Sequence, residues 1–219
     1  MSKKISPSLM CCDFMNLKEQ LGVFKKENIE YLHIDIMDGS FVPNFTLGVD
    51  FVNQIKKQTS IPVDIHFMVN EPEIKIDWFN LSEGDIVSVH AESTKHLQRV
   101  LTKIKEKGAR AFVAINPATP IYMIEEVLDD INGVLLMTVN PGFAGQKLIK
   151  STIEKIKKLK SFLISAGKNN VEIMVDGNVS FENARMMSDA GADIFVAGTS
   201  SVFNGDISNG IKKLRQSIN

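Results

Sequence analysis

Eight short β-rich runs alternate with helix-patterned segments from one end of the chain to the other, which restricts it to α/β architectures with parallel strands. The runs are 4–8, 31–35, 62–68, 86–90, 111–115, 134–139, 171–175 and 193–197. After the first, Asp13 can cap a helix carrying Phe14, Leu17, Leu21 and Phe24 on one face. Further helices are predicted over 97–106, 120–128, 149–165 and 181–189, with Pro120 and Ser180 opening two of them and Gly108, Gly167 and Gly191 placed where helices stop. Helical patterning is weakest over 49–58 and 73–82.

Eight such units in 219 residues allow about 27 residues each, near the lower limit for a (β/α)8 TIM barrel. An open, doubly wound sheet is the alternative. The barrel is favoured because Ser8, Asp35, His66, His90, Asn116, Asn140, Asp176 and Gly198 all stand at strand ends. A barrel gathers those ends on one face, whereas an open sheet spreads them along a line. No composition break divides the chain, so a single catalytic domain over 1–219 is expected, and 44% hydrophobic content suffices for its core.

A formal net charge of −1 gives no reason to expect nucleic acid or an anionic membrane as partner. The first residues lead directly into a strand pattern without an apolar secretion segment, and no stretch is long enough to span a bilayer; a cytoplasmic location is expected. Cys11 and Cys12 are adjacent, which suits small loop or core residues better than a disulfide or a zinc site. The lysine-rich run 150–160 reads as a solvated helix face.

The chemistry-bearing residues cluster in the pattern. His33 and Asp35 are two apart on one strand and so share a face; Asp64 and His66 repeat that spacing on the next strand, and Asp176 ends the seventh. Two imidazoles with two carboxylates suit one borderline divalent ion per chain: zinc, manganese, iron(II) or cobalt, with magnesium a further candidate. Asp64 lies one layer below His66 and is ambiguous between ligand and a partner orienting that imidazole.

Three glycine-containing turns follow the last three strands: Gly142, Phe143, Ala144 and Gly145 within the loop 140–146, then Gly177 and Asn178, then Gly198, Thr199 and Ser200 before an expected short helix ending near Phe203. Loops in those positions, with the free amides of a short helix, commonly hold phosphate in barrels. Met10, Met37, Met68 and Met137 stand at or just beyond strand ends, either as core filler or as an apolar cover over a reacting carbon. His90 can line the barrel mouth, His96 is expected to face solvent, and Trp78 is expected to pack.

These motifs resemble the ribulose-phosphate 3-epimerase family. The similarity runs from Ser6 to about Phe203 and rests on Ser8-Leu9, the segment 33–39 with 41–44, Asp64 to Met68, Met137 to Phe143, Val175 to Gly177 and Val196 to Gly198. The resemblance implies a barrel with a divalent metal on His33, Asp35, His66 and Asp176, and with Asp35 and Asp176 as the acid/base pair. It matches Ser8 to a substrate-contacting serine, and Gly142, Phe143, Ala144, Gly145, Gly177, Asn178, Gly198 and Thr199 to the substrate and phosphate loops. His66, Asp176, Ser200, Met37, Met68 and Met137 complete the expected substrate surroundings.

Ala144, Asn178, the Thr199-Ser200 pair and Cys11 depart from the usual ribulose-phosphate pattern, and the segment 5–11, the Phe-Ala-Gly-Gln loop and Gly198-Thr-Ser200 are more similar to the D-allulose-6-phosphate 3-epimerase branch. The expected activity is therefore metal-dependent C3 epimerisation of a ketose phosphate through a cis-enediolate, D-allulose 6-phosphate to D-fructose 6-phosphate, with D-ribulose 5-phosphate to D-xylulose 5-phosphate as the alternative. A phosphorylated ketose is the expected small-molecule partner, and a homo-oligomer the expected assembly. A decarboxylase or Schiff-base aldolase would favour an Asp-x-Lys array or a strand-end lysine, whereas His33-Ile-Asp35 and Met137 hold the informative positions. A non-catalytic sugar-phosphate-binding barrel would need no pair of opposed bases.

Overall fold

The computed structural model describes residues 3–219; residues 1 and 2 of the expected domain 1–219 lie outside the described residues. Eight parallel strands form one sheet in the order β1-β8-β7-β6-β5-β4-β3-β2. They are β1 Lys4–Pro7, β2 Leu32–Met37, β3 Val63–Met68, β4 Ile86–His90, β5 Arg110–Ile115, β6 Gly133–Met137, β7 Glu172–Asp176 and β8 Ile194–Ala197. The circle closes through a parallel bridge between Ser8 and His33, so the sheet is a TIM barrel rather than an open sheet. Among the described residues, no helix is long and apolar enough to cross a membrane.

Alternation along each strand divides the buried side chains into two populations. On β2 and β3, Leu32, Ile34, Ile36, Ile65 and Phe67 join the large core between sheet and helices, leaving His33, Asp35, Asp64 and His66 for the barrel interior. The interior is lined elsewhere by apolar residues, including Phe112, Ala114, Leu135, Met137, Met174, Ile194 and Val196. Gly133 makes room for the Phe112 ring: a Cβ there would stand 2.2 Å from it. Polar groups also enter this interior from other strands, where Glu172 of β7 pairs with Lys4 of β1 and Arg110 of β5.

The helices are α1 Leu17–Lys26, α2 Val49–Gln58, α3 Pro72–Lys75, α4 Leu97–Glu106, α5 Ser151–Ser165, α6 Phe181–Asp189 and α7 Ile207–Ile218. Ser180 caps α6 by accepting from the Asn183 amide at 3.2 Å. Gly108, Gly167 and Gly191 follow their helices at positive φ, as a chain leaving a helix requires.

Several local expectations change. Segment Ile121–Val127 is a 3-10 helix rather than an α-helix; its buried Ile124 and Val127 are three apart, the repeat of the tighter turn. The weak segment 73–82 splits into α3 and a 3-10 turn Ile76–Trp78. Asp13 caps a 3-10 turn, Phe14–Asn16, that precedes α1, and Phe14 is exposed with its ring edge against Phe51. Trp78 is exposed rather than packed, at 57%. The short helix expected before Phe203 is instead a series of turns, closed by the amides of Ser201 and Phe203 donating to the Gly198 carbonyl. Lys155 departs from the solvated face expected for 150–160: its Nζ donates to the carbonyls of Asn116, Pro117 and Thr119 and anchors the loop after β5 to α5.

Candidate active site

Strand ends bring His33, Asp35, His66 and Asp176 together although they are far apart in sequence. One ligating atom from each lies within 4.8 Å of every other. His33 Nε2 stands 3.2 Å from Asp35 Oδ1 and 3.9 Å from Asp176 Oδ2, and His66 Nδ1 stands 3.3 Å and 3.7 Å from the same two oxygens. Both carboxylates are paired only with imidazoles among the described residues; no lysine or arginine reaches them. Buried negative charge with nitrogen donors at that spacing fits a divalent cation, because such carboxylates need a positive partner once removed from water.

The surroundings orient each group. Asp64 Oδ2 lies 2.7 Å from His33 Nδ1 and accepts from Ser6 Oγ at 3.0 Å. Asp64 therefore orients His33, not His66 as its place on β3 suggested: parallel register sets Asp64 beside His33, and its own strand carries it one layer below His66. Ser8 Oγ donates to Asp35 Oδ2 at 3.0 Å. His66 Nε2 meets His90 Nε2 at 2.8 Å, and His90 Nδ1 lies 3.2 Å from Glu92 Oε2. His90 is fully buried behind His66, while His96 is exposed as expected.

Electrostatics differentiate the groups. Burial alone would lower the His33 imidazole, but Asp64 and Asp35 outweigh it and hold its pKa well above the ordinary value. Burial pushes Asp35 up, yet His33 and His66 prevail and keep it below the usual carboxylate range. Asp176 is raised, chiefly by burial, against the pull of His33 and with the repulsion of Asp35 added. The two carboxylates are thus driven in opposite directions. Burial, only partly offset by the hydrogen bond to Glu92, lowers His90 from 6.5 to about 4.

That last shift has a measurable consequence. The unfolded chain protonates this histidine below pH 6.5 while the native ring stays neutral to about 4, so protons favour the unfolded state across that window and stability falls on acidification. Replacing His90→Gln removes the titration. The stability difference between wild type and variant is expected to change by about 3 kcal/mol between neutral pH and pH ~4, from ~1.4 kcal/mol per pKa unit. Urea unfolding across that range checks it; parallel stability curves would rule it out.

Asp35 and Asp176 of the metal-fitting set line a pocket whose rim is made by the glycine turns, with His33 and His66 buried behind them. Its lining includes Ser8, Asp35, Asp176, the residues 142–146 after β6, Gly177 and Asn178 after β7, and Gly198, Thr199 and Ser200 after β8. Met10, Met37, Met68 and Met137 line it as well, and Met37, Met68 and Met137 are at the same time buried in hydrophobic clusters. Phe143 is 53% exposed at the rim. Cys11, read from sequence only as a small residue, lines the same pocket, and burial raises its thiol pKa.

Asn178 explains one sequence departure. It sits at φ 49°, in the left-handed region that asparagine tolerates, so it keeps the backbone path that glycine would take. Its side chain donates to the Gln146 carbonyl at 2.8 Å and to Ser200 Oγ at 3.1 Å, tying the three rim loops together. Gly177 has no such latitude. At φ +119°, an added Cβ would lie 2.6 Å from Val139 Cγ2 and 2.8 Å from the Val139 backbone nitrogen. Gly177→Ala is expected to cost about 2–4 kcal/mol from strain and overpacking. An unchanged urea midpoint would show that the turn relaxes freely.

A family model described as the ribulose-phosphate 3 epimerase family matches residues 4–203. The chain belongs to that family. It is 43% identical to the ribulose-phosphate 3-epimerase of Bacillus subtilis (strain 168), over 98% of this chain and 99% of the relative. It is 38% identical to the ribulose-phosphate 3-epimerase of Methanocaldococcus jannaschii, over 97% and 90%. The chloroplastic ribulose-5-phosphate-3-epimerase of Arabidopsis thaliana is 41% identical, over 97% and 76%. Among solved structures, 3-hexulose-6-phosphate synthase from Salmonella typhimurium aligns at TM-score 0.64 and 17% identity over 98% of each chain. Orotidine 5'-phosphate decarboxylase from Pyrococcus horikoshii aligns at 0.67 and 16%, also over 98% of each. At those identities the likeness is one of fold alone. The ribulose-phosphate 3-epimerase family is one of carbohydrate isomerases, in line with the expectation from sequence.

The hexose expectation is not supported. These relatives are named for ribulose phosphate, and Asn178, one of the departures from the usual pattern, preserves a glycine-like backbone and spends its amide on neighbouring loops.

Proposed function

We propose that the protein is a metal-dependent D-ribulose-5-phosphate 3-epimerase, interconverting D-ribulose 5-phosphate and D-xylulose 5-phosphate. The observation that carries the reading is the convergence of Asp35 and Asp176 on one pair of imidazoles, beneath a rim of glycine turns. The names of the relatives favour the pentose over D-allulose 6-phosphate.

His33, Asp35, His66 and Asp176 would hold the cation. When bound, it supplies positive charge that stabilises oxyanions developing on the substrate. Inversion beside a ketone requires a proton to leave one face of C3 and another to arrive on the opposite face. β2 and β7 stand on different sides of the mouth, and β1 and β8 separate them in the closed circle, so their terminal carboxylates approach from different directions. One carboxylate would act as base on its face of C3 and the other as acid on the opposite face, exchanging roles in the reverse direction. Proton removal by one carboxylate gives the cis-enediolate, and proton delivery by the other completes the epimer. Ser8 keeps Asp35 aimed through its hydrogen bond.

The rim loops after β6, β7 and β8 would hold the phosphate on backbone amides, fixing C3 between the carboxylates. Thioethers of Met37, Met68 and Met137 would cover the enediolate without offering it a competing acid. Side-by-side kinetics with metal-loaded protein test the sugar. Higher kcat/KM on D-ribulose 5-phosphate is expected, and a clear preference for D-allulose 6-phosphate would reverse the assignment. A non-catalytic binding barrel would bind the sugar phosphate and exchange no C3 hydrogen with solvent.

A further inference from the structure

His66 is the one member of the metal-fitting set whose rear nitrogen meets another imidazole rather than a carboxylate. His33 is held directly by Asp64, but His66 Nε2 faces His90 Nε2 at 2.8 Å, with the rings edge to edge and their centroids 5.0 Å apart. Two ring nitrogens at hydrogen-bond distance need one proton between them, so one donates and the other accepts. The direction decides which His66 nitrogen keeps a lone pair. A proton on Nδ1 would block that atom from any cation; a proton on Nε2 leaves it open.

The direction is set farther back. Glu92 Oε2 lies 3.2 Å from His90 Nδ1, and an ionised carboxylate only accepts, so His90 Nδ1 must carry its proton. A neutral His90 then has its lone pair on Nε2, where it accepts from His66 Nε2–H. Glu92 is itself fixed: its Oε1 accepts from the Asn116 amide at 2.9 Å and from the Thr119 hydroxyl. We propose that Glu92 and His90 are positioning residues that fix the tautomer of His66, presenting its Nδ1 lone pair to a divalent cation shared with His33, Asp35 and Asp176. This rests on the metal reading of that set.

The substitution Glu92→Gln discriminates because it preserves shape. The Asn116 amide demands an oxygen on its side, so the new NH2 must face His90 Nδ1 and donate to it. His90 then becomes the Nε2–H tautomer, His66 Nε2 must accept, and the proton moves to Nδ1, where a cation would have to displace it. Loss of such an outer partner typically weakens metal affinity about 10- to 100-fold.

The test combines nitrogen-15 NMR of the histidine side chains with zinc competition against a chromophoric chelator. In zinc-free wild type, His90 is expected as the Nδ1–H tautomer. Glu92→Gln is expected to reverse it and to weaken zinc binding by at least about tenfold, with Glu92→Asp recovering both. Wild-type His90 found as Nε2–H overturns the proposal, and that measurement needs no variant to fold. A Glu92→Gln protein with wild-type affinity overturns it too, as does one that loses affinity without reversing the tautomer, which would mark a packing defect. Wild type that binds no zinc at all would instead defeat the metal reading itself, and with it any tautomer-setting role for a cation.

Discussion

Asp176→Asn is expected to lower net epimerisation by about 10²–10⁴-fold, the range of a lost general acid or base. An amide neither delivers nor accepts the proton on its face of C3, whereas Asp35 on the other face keeps its Ser8 hydrogen bond and its imidazole neighbours. In deuterated water, the metal-loaded variant should still exchange C3 hydrogen slowly in one epimer and not in the other. One carboxylate can remove and return a proton on its own side; it cannot invert the carbon. A folded, metal-loaded variant that epimerises near the wild-type rate would remove Asp176 from the proton pathway.

Stripping divalent metal with a chelator is expected to cost at least about 10²-fold in turnover, from several kcal/mol of lost charge stabilisation, and zinc, manganese, iron(II) or cobalt should restore it. The affinity should also depend on pH. In the metal-free protein His33 is held above its ordinary value by Asp64 and Asp35 against its burial, so below that raised pKa a cation must displace a proton. Affinity is therefore expected to rise with pH, by up to about tenfold per unit for each proton displaced, and to level once His33 is neutral. Titration of zinc binding at several pH values measures this. Turnover untouched by exhaustive chelation would exclude a metal role.

The barrel and its ligand set were legible because strand periodicity and residue chemistry coincide. His33 and Asp35 lie two apart on a strand otherwise built for a buried outer face, a pattern that a plain core strand has no reason to carry. The support behind the set was less legible because it depends on register. Parallel pairing places Asp64 beside His33, which spacing along one chain does not state. His90 and Glu92 share the spacing of His33 and Asp35, and that echo was the available signal; what it lacked was knowledge that His90 meets His66 through their Nε2 atoms. The hexose reading rests on loop substitutions, and the names of the relatives favour the pentose instead. Asn178 shows that such a change can serve the backbone and the loop ties instead. Segment Ile121–Val127 was misread because apolar residues three apart suit both an α-helix and the tighter 3-10 turn.

The seam of the barrel adds one consequence. β1 pairs along its length with β8, but among the described residues it meets β2 at the Ser8–His33 bridge, reinforced by Ser8 on Asp35 and Ser6 on Asp64. The circle is thus fastened beside His33 and Asp35, two of the residues that could hold a cation. An ion held by His33 and Asp35 on one side of the seam and by Asp176 on the other would act as a clasp, part of its binding free energy becoming resistance to the barrel springing open. Ligand assembly and sheet closure would in that sense be a single event, located where the strands are least secured to one another.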